Sequence, residues 1–135
     1  MNRLTRFQHV LLRIGEWIAY AECASTLARR AALAGEGRLH EKANDRFDAN
    51  ALAAISRIFA REAAMKVAAD GLRVVAGAGG ISDAEMPAFE ATLNLSAIHR
   101  AQSGLTADMD YVADVIYGRV RKSSPEELKE AALAR

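Results

Sequence analysis

A chain of 135 residues is long enough to bury one core and short for two domains. Its 18 basic and 17 acidic residues leave a formal net charge of +1. That balance argues against a dedicated nucleic-acid binder, which needs a basic surface to neutralise phosphates. Hydrophobic residues make up 51% of the chain, yet aromatics only 6% and prolines number two. Much of the apolar content is alanine, the strongest helix former, so the composition favours helix throughout. The lone Cys23 has no internal disulfide partner. Arg13 and Glu16 interrupt the first apolar run, against a signal peptide, and no window approaches a membrane span of about 18 apolar residues. The expected location is the cytoplasm.

The first helix is expected from about Leu4 to Leu33. Leu4, Phe7, Leu11, Ile14, Ile18, Ala21, Ser25, Ala28 and Ala32 recur at alternating spacings of three and four, which places them on one stripe. Val10, Trp17 and Leu27 widen that stripe, and Gly35 and Gly37 end the helix. Glu36 to Asp48 reads as a polar loop. A second helix follows from about Asp48 to Ala76, with Asp48 or Asn50 as its cap. Its inner stripe is Leu52, Ile55, Phe59, Ala63 and Leu72. Gly77-Ala78-Gly79-Gly80 follows this helix and no strand precedes it, so the glycines read first as a stop signal.

Ser82-Asp83-Ala84-Glu85 is a capping-box pattern opening a short third helix. The fourth helix is expected from about Leu95 to Arg121, with Ile98, Leu105, Met109, Val112 and Ile116 as its stripe and Gly104 inside it. Ser124, Pro125 and Glu127 suit the start of a short, frayed tail helix. These elements predict an all-α, up-down bundle of three long helices and one short one. Residues 1–122 form the bundle, 123–135 the tail, and the stripes of the first, second and fourth helices face each other.

Chemistry is sparse. A di-iron bundle site needs Glu-x-x-His on two helices. Arg6 precedes His9 by three residues, Gly37 precedes His40 and Ser96 precedes His99, so none fits. His9 and His99 read as surface or hydrogen-bonded interior histidines. Cys23 reads as a buried structural thiol. Asp108, Asp110 and Asp114 read as a solvated face answered by Arg119 and Arg121, and Glu62 with Lys66 as a surface pair. Trp17, Tyr20, Tyr111 and Tyr117 fit either core packing or a partner-binding patch. No catalytic, cofactor-binding or metal-ligating set emerges from the residues.

Two stretches resemble acyl-CoA dehydrogenases. Ser56 to Asp70, followed by Ala76-Gly77-Ala78-Gly79-Gly80, is similar to a long helix and glycine loop of the family's C-terminal helical domain. Ile81 stands where the family has an aromatic. Phe89-Glu90-Ala91-Thr92 imitates the segment with the catalytic glutamate but lies closer to the glycines than in the family. The second register covers most of residues 7 to 76. Leu11-Leu12-Arg13-Ile14-Gly15-Glu16-Trp17-Ile18-Ala19-Tyr20-Ala21 and Ala60-Arg61-Glu62-Ala63-Ala64 resemble helices of the domain appended to very-long-chain acyl-CoA dehydrogenases and their bacterial relatives.

This second resemblance implies a non-catalytic accessory module, serving subunit packing, docking onto a dehydrogenase's catalytic part, or membrane-surface contact. The module itself carries no cofactor, FAD belonging to a complete dehydrogenase. The first resemblance implies instead part of a flavin and acyl-CoA site at Gly77, Gly79, Gly80 and Glu90. A third reading is a stand-alone regulatory bundle.

Overall fold

A computed structural model describes residues 8–40 and 46–120 of the chain. It contains α1 (Gln8–Gly35), α2 (Ala49–Gly77), α3 (Met86–Leu93), α4 (Leu95–Ala101) and α5 (Leu105–Ile116), and no strand among the described residues. Two long helices and three short ones thus replace the expected three and one. Leu4, Phe7, Arg121 and the expected tail at 123–135 lie outside the described residues.

The long helix α2 organises the rest. Its start is set by Asp48, whose backbone is extended and whose Oδ1 accepts a hydrogen bond from the Ala51 N–H at 2.8 Å. That carboxylate satisfies one of the donors a helix start leaves open. α1 packs along α2 on one face, and α5 and α4 pack on another. Arg13 and Glu16 lie near Asp70 and Lys66, while Tyr20 lies near Phe59, so α1 and α2 run antiparallel. Ala101 and Gln102 lie near Arg61, and Asp108 lies near Arg57, so α5 also runs against α2. α3 rests on α4. The buried apolar residues are Ala51, Leu52, Ala54, Ala63 and Ala68, all from α2.

The facing stripe of α1 differs from the expected one. Val10, Ile14, Trp17, Tyr20, Ala24, Leu27 and Ala31 are half-buried, whereas Leu11, Ile18, Ala21, Ser25, Ala28 and Ala32 are exposed. Two stripes compete on this helix, separated by one residue, or about 100°. Area decides between them. Trp17 and Tyr20 each carry about 150–250 Å² to bury, far more than the alanines of the other stripe. Tyr20 meets Phe59 with ring centroids 5.9 Å apart. Cys23, expected to be buried, is exposed because it falls on the outer face of α1. α1 and α5 therefore each pack on α2, rather than three stripes meeting at one axis.

The expected fourth helix is broken. Gly104 adopts φ +80° and separates α4 from α5. A left-handed residue cannot continue a right-handed helix, and glycine takes that conformation without a Cβ clash. After the break, Leu105, Asp108, Tyr111, Val112 and Val115 are half-buried, while Met109 and Ile116 are exposed. The α3–α4 junction turns at Asn94, φ 52°. The capping box forms its return half: Glu85 Oε2 accepts from the Ser82 N–H at 2.9 Å and from Ser82 Oγ at 2.6 Å. It closes the turn ahead of α3, whose own start carries Pro87 in its first turn.

Gly79 is the residue that ends α2, with φ +65°. Gly77 is the last helical residue, at ordinary φ, and a Cβ there would meet nothing within 4 Å. The two glycines should therefore respond oppositely. Gly79→Ala is expected to destabilise the fold by about 1 kcal/mol. Gly77→Ala is expected to leave stability unchanged or raise it by up to about 1 kcal/mol. Thermal melts followed by circular dichroism check both, and a Tm loss in Gly77→Ala would contradict this account.

Candidate functional site

The strongest side-chain constellation joins α2 to α5. Arg57 and Arg61 are one turn apart on α2, so their like charges repel unless an anion sits between them. Asp108 supplies it. Arg57 Nε donates to Asp108 Oδ2 at 2.9 Å, with a second Arg57 nitrogen on Oδ1, and Arg61 also donates to Oδ2. Arg61 Nε donates to the Ala101 carbonyl at 2.7 Å. Gln102 Nε2 donates to the carbonyls of Arg61 and Ile98 at 3.3 and 3.2 Å. The helix break at Gly104 leaves the Ala101 carbonyl without a helical donor, so Arg61 acts as its cap. The Asp108 side chain is only 14% exposed. Hydrogen bonds from Arg57 above all, then Arg61, hold its carboxyl down at about 2.

Sequence reading placed Asp108 with Asp110 and Asp114 on a solvated face. Only Asp114 is answered as expected, by Arg119 at 3.2 Å. Arg121 lies outside the described residues. The overlooked signal was the Arg57–Arg61 spacing together with Asp108 falling in the three-four pattern of Leu105, Val112 and Val115.

A second constellation joins α1 to α2. Asp70 is 7% exposed. Lys66 Nζ donates to its Oδ2 at 2.8 Å and also reaches Glu16 Oε1 at 3.3 Å. Arg13 pairs with Glu16 at 2.9 Å and stands 3.9 Å from Asp70, and Arg73 stands 3.7 Å from it. Lys66 therefore turns to Asp70 and Glu16 rather than to Glu62, because the carboxylates along the α1–α2 seam are better shielded from water. The Lys66 hydrogen bond lowers the Asp70 pKa, and Asp70 in turn raises that of Lys66. Arg13 is the leading cause of a lowered Glu16 pKa.

A cleft of about 740 Å³ opens where the start of α1 meets the end of α2. Val10, Val74 and Val75 give it apolar walls, His9 and Arg73 give it polar groups, and Gly77 and Gly80 border it. Gly79 serves the chain reversal, and Glu90 stands exposed on α3, which packs on α4. The structure thus does not gather Gly77, Gly79, Gly80 and Glu90 into one described site. The cleft suits an apolar chain and offers no paired acid and base. A smaller groove of about 310 Å³ runs between α2 and α5 over Ile55, Ile58, Phe59 and Val112.

The remaining candidates separate. Trp17, Tyr20 and Tyr111 are half-buried, and Tyr117 is exposed. His9, His40 and His99 are exposed. Among the described residues no group of three or more His, Cys, Asp or Glu side chains is placed to hold a metal ion, and no helix is long and apolar enough to cross a membrane. No protein-family model matches the chain, and neither a curated protein nor a solved structure matches it.

The Asp108 clasp has a pH signature. Its folded pKa lies below the unfolded value of 3.8, so its stabilisation is complete above about pH 4 and is lost as pH falls toward 2. Asp108→Asn is expected to cost about 1–2 kcal/mol at neutral pH, after allowance for partial screening. It is also expected to flatten the fall in stability between pH 4 and pH 2. Urea titrations of both proteins across that range provide the check. Equal acid sensitivity in the two would show that the clasp contributes nothing.

Proposed function

We propose that the chain is a non-catalytic helical module of an acyl-CoA dehydrogenase-like flavoprotein, acting through its outer faces by self-association or by docking. One observation carries this reading. Large apolar side chains stand in water on two outer faces: Leu11, Leu12 and Ile18 on α1, and Met109, Ile116, Tyr117 and Val120 on and after α5. Exposed large apolar side chains grouped on one helix in this way favour contact with a partner. The charged clusters, by contrast, are closed on themselves. Asp108 and Asp70 are both spoken for by cations of the same chain. The resemblance of residues 7 to 76 to the appended dehydrogenase domain supplies the proposed parent, and the interrupted apolar run at Arg13 and Glu16 supports a cytoplasmic setting.

The enzyme-class alternative makes the Gly77–Gly80 turn part of a flavin and acyl-CoA site. Its support is the apolar cleft bordered by Gly77 and Gly80. Titration with FAD distinguishes the two. The purified chain is expected to be colourless and to leave FAD fluorescence unchanged. Uptake of FAD that Gly80→Val abolishes would overturn the non-catalytic reading. Light scattering on the purified chain tests the surface reading. A monomer at every concentration, with no affinity for a dehydrogenase catalytic part, would leave that reading without support.

A further inference from the structure

The exposed stripe of α1 keeps the strict spacing of a coiled-coil seam. Leu11, Ile14, Ile18, Ala21, Ser25, Ala28 and Ala32 follow steps of three and four over three heptads. Among the described residues this spacing has no partner: α2 takes the neighbouring face, and Leu11 and Ile18 remain 42% and 58% exposed. Only Ile14 is shared between the two faces. The seam is also graded in size. Its first half carries Leu11, Ile14 and Ile18, and its second half only Ala21, Ser25, Ala28 and Ala32.

We infer that this seam is the contact between two copies of the chain, paired antiparallel through α1. Size complementarity selects the occupant. In an antiparallel pair each large half lies against the partner's small half, with Leu11 opposite Ala28, Ile14 opposite Ser25 and Ile18 opposite Ala21. Each bulky side chain then fills the space a small one leaves, and no void forfeits its dispersion contacts. A parallel pair would set Ile14 and Ile18 against themselves and hold the alanine halves apart. Charge agrees with this register. Glu22 flanks the seam and falls beside Gly15 of the other copy, whereas a slip of one heptad would bring Glu22 against itself.

Area sets the strength. In this register α1 overlaps its copy over residues 8–31, about 36 Å of helix, and a third of its girth offers roughly 400 Å² per copy. The pair buries about 800 Å², below the standard size of a stable interface and in the range of weak, transient ones. The dimer is therefore weak and concentration-dependent.

This inference rests on the self-association reading above, and the experiment separates the failure of each. Light scattering is read over a concentration series for the full chain, for Ala21→Arg and Ala28→Arg on the seam, and for Tyr117→Ser on the other apolar face. The wild type and Tyr117→Ser should shift toward dimer as concentration rises. Each seam variant should weaken dimerisation by roughly tenfold or more. Circular dichroism of the seam variants should be unchanged, since both positions are exposed in the folded chain. A dimer that survives both seam substitutions but is lost in Tyr117→Ser overturns the seam and keeps self-association. A chain that stays monomeric throughout overturns both.

Direction is tested in a Cys23→Ser background by mixing Leu11→Cys chains with Ala28→Cys chains and adding a short thiol cross-linker. Mixed cross-links are expected, and cross-linking of Leu11→Cys only to itself would overturn the antiparallel pairing.

Discussion

Small side chains on α2 set the terms for the rest of the molecule. Among the described residues, four of the five buried apolar ones are alanines of this one helix, the fifth being Leu52. Alanine lets a neighbouring backbone come close but contributes little area of its own. The fold must therefore find its burial in the partners. Trp17, Tyr20 and Leu27 from α1 supply it on one face, and Leu105, Tyr111 and Val112 from α5 on another. All of these stay half-buried among the described residues, because α1 and α5 lie on different faces of α2 rather than closing over one shared axis. Among the described residues the five buried apolar side chains alone make a thin core.

That thinness explains why charged clasps stand at both helix–helix contacts. Asp108 with Arg57 and Arg61 ties α5 to α2, and Asp70 with Lys66, Glu16 and Arg13 ties α1 to α2. Asp108 and Asp70 are largely shielded, as is Arg61, while Arg57, Lys66 and Arg13 keep contact with water. The desolvation cost falls mainly on the shielded ions, and several hydrogen bonds offset it. Direction matters as much as energy. A guanidinium that bonds two carboxylate oxygens fixes the rotation of α5 about its axis more firmly than half-buried aliphatic contacts do. Losing Asp108 would leave Arg57 and Arg61 facing each other one turn apart, so the clasp also removes a repulsion built into α2.

Much of the fold was legible from local signals. The Asp48 cap and the glycine stop after Val75 are short-range chemistry and act where the residues place them, whereas the Ser82–Glu85 pair closes a turn and the helix it was expected to open starts only at Met86. What failed was long-range. The α1 stripe was read from spacing alone, and spacing does not weigh alanine against tryptophan. Gly104 falls inside the stretch whose spacing predicts a fourth helix, since a glycine there costs only about 1 kcal/mol and leaves the pattern intact. A left-handed break also leaves carbonyls open, and the Arg61 contact that caps Ala101 comes from 40 positions away. Asp108 was misjudged for the same reason: its partners are on another helix. No local pattern placed the cleft at the α1–α2 end either, since it exists only where an antiparallel pair brings Val10 beside Val74.

The misread stripe is informative in its own right. A helix that needs only one apolar face to pack in its chain has no use for a second at heptad spacing. Leu11, Leu12 and Ile18, 42%, 75% and 58% exposed, each forgo only part of the roughly 1.5–3 kcal/mol that full burial of such a side chain supplies, on the order of 1 kcal/mol apiece. Such a sum is a noticeable fraction of the stability of an ordinary domain. Were a second copy to cover the outer face of α1, as proposed above, it would also hold α1 on α2, because the same helix would serve both contacts. Trp17 sits at that junction, half-buried, with its indole Nε1 buried and without a hydrogen-bond partner among the described residues. Its ring area outweighs the orphaned donor, which costs about 1–3 kcal/mol. That trade is tolerable only while the faces on either side of Trp17 stay closed, so the stability of the α1–α2 contact depends on what lies against the outer seam.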